Sequence, residues 1–138
     1  MYDPMMVQPM REELTSIGFK ELRTASEVDE TLPDTKGTYL LVINSVCGCA
    51  AGQARPGVAL ALTNKVVPDT LYTVFAGQDA EATIKARSYI RGYPPSSPSI
   101  ALFKDGDVVA MIERYQIENQ GAEQVAATLI AEFEKHCN

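Results

Sequence analysis

Two thiols with one residue between them, Cys47-Gly48-Cys49, are the most reactive side chains in the sequence. Before them runs Tyr39-Leu40-Leu41-Val42-Ile43-Asn44, a short apolar stretch of buried-strand type. After them, Ala50 to Leu62 is rich in Ala and Leu and reads as a helix. A cysteine at a helix start meets unpaired backbone N–H groups and the positive end of the helix dipole. Both favour the thiolate, the form that attacks disulfides. Cys47 lies nearest the helix start and is the expected nucleophile. Cys49, inside the first turn, is the expected resolving thiol, placed to attack whatever forms on Cys47. A disulfide between the two would close a very small ring and be readily reduced, which suits exchange or isomerisation better than permanent cross-linking. Two other readings of the pair stand beside thiol–disulfide chemistry: small core residues, or part of a metal site. A zinc site needs four ligands, and the other soft candidates, His136 and Cys137, are adjacent at the far end of the chain.

Pro98 is the next candidate. It directly precedes a buried-strand run, Ser99 to Lys104, and a proline there can adopt the cis bond and fix a loop. With Pro94 and Pro95 alongside, it can equally be an ordinary loop proline. Cys137 reads as a passive or weakly reactive thiol, with an auxiliary role as the alternative. His136 is the only histidine and lies far from the cysteine pair in sequence, which argues against acid–base catalysis by histidine. Tyr93 falls in a candidate binding loop, while Tyr39, Tyr72, Tyr89 and Tyr115 are expected to pack.

The elements that must position these groups can be read along the chain. Pro9 to Ile17 reads as a first helix, opened by Pro and ended by Gly18. Phe19 to Thr24 is a short strand, and Ser26 caps a short helix reaching about Leu32. Thr38 to Ser45 is the strand that delivers the cysteines. The helix after them is expected to run to about Asn64 and to kink at Pro56, which removes an N–H and crowds the preceding turn. Leu71 to Ala76 is a strand, and Asp79 caps a helix to Ile90 with Ala82, Ala86, Tyr89 and Ile90 toward a core. Gly92 to Pro98 is a rigid loop. Ser99 to Lys104 and Asp107 to Glu113 form a hairpin around Asp105-Gly106. Gly121 to His136 is the last helix, with Val125, Leu129, Ile130 and Phe133 as its apolar stripe. A central β-α-β unit followed by a hairpin and a closing helix implies an α/β fold, a mixed central sheet flanked by helices on both faces.

Composition narrows the class. One domain of 138 residues with 46% hydrophobic content can build its own core. No apolar stretch approaches the roughly 20 residues of a membrane span, so no membrane partner is expected. The N-terminus lacks a basic region followed by an apolar one, and a cytoplasmic location is expected. Three cysteines in that setting are no disulfide framework. The net charge of −6 argues against nucleic acid as a partner. Two segments nevertheless lack acids: Lys36 to Pro68, with Lys36, Arg55 and Lys65, and Ala82 to Lys104, with Lys85, Arg87, Arg91 and Lys104. If they meet in space, they form a locally positive site that favours thiolates and anionic partners.

The strand–Cys-x-Cys–helix order, with an interior Pro, a Pro-led strand, an Asp-Gly hairpin and a final helix, resembles the thioredoxin fold. The active site departs from Trp-Cys-Gly-Pro-Cys, since there is no Trp and only one residue separates the cysteines. The chain is more similar to the bacilliredoxin family. The resemblance rests on Tyr2-Asp3-Pro4-Met5, Pro9 to Leu14, Asn44-Ser45-Val46-Cys47-Gly48-Cys49-Ala50-Ala51-Gly52, Ala54-Arg55-Pro56-Gly57, Pro94 to Pro98 and the Cys137 tail. It implies a thiol–disulfide oxidoreductase that removes bacillithiol, an anionic low-molecular-weight thiol co-substrate, from protein cysteines. Cys47 would attack the mixed disulfide, and Cys49 or a second thiol, Cys137 being the auxiliary candidate, would resolve the adduct. Gly48, Ser97, Pro98 and Arg55 would bind or position the substrate. The implied partners are S-bacillithiolated client proteins and a bacillithiol disulfide reductase system; no tightly bound cofactor and no metal is implied. Disulfide isomerisation, general disulfide reduction and a metal-binding or redox-sensing role are the alternatives.

Overall fold

A computed structural model describes residues 1–138. Its centre is strand β2, Thr38–Asn44, in which all seven residues are buried. A strand apolar on both faces belongs in a sheet interior. It pairs in parallel with β3, Thr70–Phe75, and antiparallel with β4, Ser99–Lys104. The short β1, Lys20–Glu21, lies parallel beside β3, and β5, Asp107–Ile112, closes the other edge antiparallel to β4. The order is β1-β3-β2-β4-β5, the mixed sheet that the sequence implies.

Pleating divides β2 between two cores. Leu40 and Val42 face Val58 of α3 (Arg55–Ala61), Val125, Leu129 and Phe133 of α6 (Ala122–His136), and Leu14 of α1 (Pro4–Thr15). Tyr39, Leu41 and Ile43 face Val28 of α2 (Ala25–Thr31) and Ala82 and Ala86 of α4 (Ala80–Arg87). On that second face the Tyr39 ring stacks on Phe103, centroids 4.4 Å apart, and meets Tyr72 edge-on. The hairpin turn forms at Asp105-Gly106 as expected, both residues having positive φ, 50° and 89°.

The elements differ from the sequence reading in several places: β1 is shorter than Phe19 to Thr24, and α3 and α4 end at Ala61 and Arg87 rather than at about Asn64 and at Ile90. Helix α1 begins at Pro4, not Pro9, because the Asp3 carboxylate caps it by accepting from Met5 N at 2.9 Å. A capped start with Pro at the first position outweighs the one hydrogen bond lost at Pro9. Helix α2 is capped by Thr24 rather than Ser26; Thr24 Oγ1 accepts from Glu27 N at 3.1 Å. Asp79 precedes α4 but does not cap it with its side chain. Its carboxylate instead accepts from buried Arg11 at 2.7 and 3.2 Å, alongside Glu21 at 2.7 Å, and the Arg11 guanidinium also lies over the Phe75 ring. Finally, the sequence reading has no element between β5 and α6, where a short helix α5, Arg114–Glu118, forms.

The two helices that support the cysteine-bearing segment pack closely. A Cβ on Gly57 of α3 would lie 2.7 Å from Val125 Cγ1 and 3.1 Å from Ala122 O of α6. Gly57→Ala is therefore expected to destabilise the fold by about 1–3 kcal/mol, the usual effect of overpacking. Urea or thermal unfolding measures it, and an unchanged midpoint would show that α6 yields freely.

Candidate active site

Strands β2 and β3 are parallel, so their C-terminal ends open on one rim of the sheet, and the cysteine segment leaves from there. Asn44, the last residue of β2, is buried and organises the exit. Its Oδ1 accepts from Ser45 N at 2.9 Å and from Arg55 Nη1 at 2.8 Å, while its Nδ2 donates to Met10 O at 3.2 Å. Arg55 Nη1 also donates to Ser45 O at 2.7 Å, and its Nε faces Glu13 Oε1 at 3.2 Å. The guanidinium is 2% exposed and cannot touch a substrate, so Arg55 positions the turn from beneath.

Beyond the turn, Cys47 O accepts from the N–H groups of Ala50 and Ala51 and opens the helical segment. Its first stretch, Ala50–Ala54, is a wide π-helical turn in which Arg55 N donates to Ala50 O. This turn ends directly before Arg55-Pro56, where the sequence predicts a kink. An i→i−5 pattern just ahead of a residue without an N–H relieves the clash with the carbonyl four residues back.

The two sulfurs lie 2.8 Å apart, well beyond the roughly 2.05 Å of a covalent bond, as free thiols. Ser45 Oγ donates to Cys47 Sγ at 3.2 Å. Burial alone would push the Cys47 thiol up. Hydrogen bonds from Cys49, Ser45 and Ala50 N–H, together with the charge of Arg114, outweigh it and hold Cys47 below its ordinary value. Burial, the hydrogen bond to Cys47 and the negative charge that Cys47 carries all push Cys49 up. The neighbouring cysteines are thus displaced in opposite directions, Cys47 toward the thiolate and Cys49 toward the protonated form. Ser45→Ala removes one of the hydrogen bonds that favour the thiolate. The pH profile of Cys47 alkylation should therefore move to higher pH, with rate lost below the old midpoint and the high-pH plateau kept. An unshifted profile would show that the hydroxyl has no part in ionisation.

A cleft opens beside Cys47, lined by Ser45, Ala76, Gly77, Ser97, Tyr2 and Arg114. The Ser97–Pro98 bond is cis; Ser97 lines the cleft and Pro98 is buried behind it. Gly48 is exposed between the thiols, with open space where a Cβ would stand.

Other groups singled out from sequence lie elsewhere. Cys137 is near Thr38, Asp69 and Lys104 at the opposite end of the sheet, and burial pushes its thiol up. Strand β2 spans Thr38 to Asn44, about 20 Å at roughly 3.3 Å per residue, so Cys137 cannot resolve an adduct on Cys47 of the same molecule. The same distance keeps His136 and Cys137 from completing a metal site with the pair. The two acid-free segments do meet, through the pairing of β2 with β4 and at Ser97 in the cleft, but their cations are otherwise engaged: Arg55 is buried, Lys85 pairs with Asp29, and Arg87 donates to Ser96 O. The nearby cation is Arg114, from outside both segments. Tyr93 borders a separate small cavity with Arg87, Pro94 and Pro95. The tyrosine at the cleft is Tyr2, held by Gln78: Tyr2 N donates to Gln78 Oε1 at 2.9 Å and Gln78 Nε2 donates to Tyr2 O at 3.1 Å.

Three residues of the site therefore escape the sequence reading: Ser45, Tyr2 and Arg114. Ser45 was within reach, since a hydroxyl two residues before a thiol is a local neighbour. For Arg114 the usable signal was Glu113-x-x-Gln116. One of the two reciprocal capping bonds forms there, Glu113 N donating to Gln116 Oε1 at 2.8 Å, and it marks a helix start just after β5.

Comparison with known proteins follows the geometry. A family model described as disulphide isomerase matches residues 2–137. A bacilliredoxin of Koribacter versatilis is 52% identical over 137 residues, covering 99% of this chain and 94% of that relative. A bacilliredoxin of Symbiobacterium thermophilum is 61% identical over 123 residues, covering 89% of this chain and 87% of the relative. Among solved structures, Fasciola hepatica thioredoxin superposes with a TM-score of 0.58 at 22% identity, covering 86% of this chain and 99% of that one. The fold is thioredoxin-like.

Proposed function

The chain belongs to the bacilliredoxin family, a family of thiol–disulfide oxidoreductases of thioredoxin-like fold, and we propose from that premise that it removes bacillithiol from protein mixed disulfides. The observation that carries the reading is the asymmetric pair. Cys47 is hydrogen-bonded by Ser45 at the mouth of a cleft, and the Cys49 sulfur stands 2.8 Å away. In the proposed cycle the Cys47 thiolate attacks the bacillithiol sulfur of the mixed disulfide. That S–S bond breaks, the client thiolate leaves and takes a proton, and a Cys47–bacillithiol disulfide forms. Cys49 then loses its proton and attacks Cys47 Sγ, forming the Cys47–Cys49 disulfide and freeing bacillithiol. Two external thiols, kept reduced by a bacillithiol disulfide reductase system, then exchange in turn with the Cys47–Cys49 disulfide, supplying two electrons and two protons and leaving as their own disulfide, so that both cysteines are restored.

The partners in this reading are S-bacillithiolated proteins in a reducing compartment, with bacillithiol as co-substrate. No helix is long and apolar enough to cross a membrane.

A second reading, disulfide isomerisation or general disulfide reduction, is favoured by the description of the matching family model. Intact-mass spectrometry after mixing reduced protein with a bacillithiolated model protein separates the two. Loss of bacillithiol from the model protein, with a mass decrease of about two hydrogens on this chain, supports bacillithiol removal. No transfer, while scrambled or ordinary protein disulfides still react, would replace it with the second reading.

A further inference from the structure

The cleft beside Cys47 holds one charged side chain, Arg114, on a protein of net charge −6. Its placement is built rather than incidental. Arg114 Nη1 donates to Ser97 O at 3.0 Å, Nε donates to Glu118 Oε1 at 2.6 Å, and its backbone N donates to Ser96 Oγ at 3.4 Å. The far end of α5 is held from the cysteine side: Gln53 Nε2 donates to Ile117 O at 3.0 Å, Gln120 O at 2.8 Å and Glu118 O at 3.3 Å. Gln53 belongs to the turn that follows Cys49, so the cation is registered to the thiols through a segment only a few residues from them.

The ion pair leaves Arg114 available. Its side chain and that of Glu118 are 46% and 49% exposed, and no hydrogen bond engages Nη2. Surface pairs of this kind are weak and exchange readily with other anions. A mixed disulfide attacked by Cys47 must place its near half in the cleft, within reach of this cation.

We propose that Arg114 is the specificity-determining residue of the cleft, recognising a carboxylate on the small-thiol half of the mixed disulfide. The assignment rests on Cys47 being the attacking thiol, as proposed above. It makes α5 a substrate-reading element, with Ser97 and Gln53 fixing where the charge stands and Glu118 occupying the guanidinium until substrate arrives.

The test uses reduced full-length protein and three symmetrical disulfides, of 3-mercaptopropionate (anionic), 2-mercaptoethanol (neutral) and cysteamine (cationic). In each, the Cys47 thiolate displaces one small thiolate, and Cys49 displaces the second as the Cys47–Cys49 disulfide closes. The probe is reduced by two electrons and the protein is oxidised by two. Single-turnover rates are compared between wild type, Arg114→Gln and Arg114→Lys. Any change in Cys47 nucleophilicity acts on every probe and cancels in the anionic-to-neutral ratio. That ratio should fall about fivefold in Arg114→Gln, as expected for one solvent-exposed charge, and fall in wild type as salt is added. The cationic probe should gain in Arg114→Gln, and Arg114→Lys should keep most of the anion preference. A ratio unchanged in Arg114→Gln overturns the assignment, as does Arg114→Lys behaving like Arg114→Gln. If no probe reacts with wild type, the attacking-thiol reading itself falls, and the assignment with it.

Discussion

Cys47→Ser is expected to abolish thiol exchange, whereas Cys49→Ser should stall it with the small thiol bound to Cys47. A hydroxyl at position 47 does not ionise near neutral pH and cannot break a disulfide, so the loss should be on the order of a thousandfold or more, the scale seen when an enzyme loses its nucleophile. Without Cys49 the first displacement has its nucleophile, but no thiol remains 2.8 Å from Cys47 Sγ to release the adduct. Cys137 cannot substitute, because it lies beside Thr38 and Lys104 at the other end of the sheet. Intact-mass spectrometry should find one small-thiol adduct per chain of Cys49→Ser, mapped by proteolysis to Cys47, and none on Cys47→Ser. The reverse pattern would exchange the two roles. The pH dependence carries the same signature. Attack needs the Cys47 thiolate, so the single-turnover rate should rise with pH to a plateau, with its midpoint lower than that of an ordinary thiol because Cys47 is held low.

Arg55→Met should be the most damaging single substitution beneath the site. The side chain is 2% exposed, and its Nη1 satisfies both Asn44 Oδ1 and Ser45 O in the buried turn. Met preserves much of the volume but leaves Ser45 O without its donor and Asn44 Oδ1 with Ser45 N alone. The expected loss is about 2–4 kcal/mol, the range for stranding buried polar partners of a charged donor, and thermal unfolding should register it as a fall of roughly 10 °C. Exchange should weaken as well, since Ser45 both shapes the turn and donates to Cys47. Glu13→Gln is the control. That carboxylate is 46% exposed, so removing its charge should change stability by less than about 1 kcal/mol. Equal losses in the two variants would show that the ion pair, and not the buried hydrogen bonds, holds the turn.

Most of the fold was legible along the chain because the decisive signals are local. Seven consecutive buried residues in β2, the Asp-Gly turn and the apolar stripe of α6 need no knowledge of distant contacts. The errors have local causes too. Asp3-Pro4 is a stronger helix start than Pro9, and Thr24 with Glu27 is a better capping pair than Ser26. Asp79 failed as a side-chain cap because a buried arginine from another helix claimed its carboxylate, which no window around Asp79 contains.

The site divides along the same line. Cys47 and Cys49 are neighbours through the covalent chain, so the sequence alone determined that two thiols would share a strand-to-helix turn. What surrounds them only the tertiary structure decided. Tyr2, Ser97 and Arg114 come from three distant parts of the chain, and they meet Cys47 because parallel pairing of β2 with β3 and antiparallel pairing with β4 bring their loops to one rim. The same pairing sends Cys137 to the opposite end and takes Arg55 out of solvent. Charge clustering along the sequence could not anticipate this. Electrostatic action depends on separation through space, and the cation beside the thiols stands on a short helix whose position is set by Gln53 and Ser97.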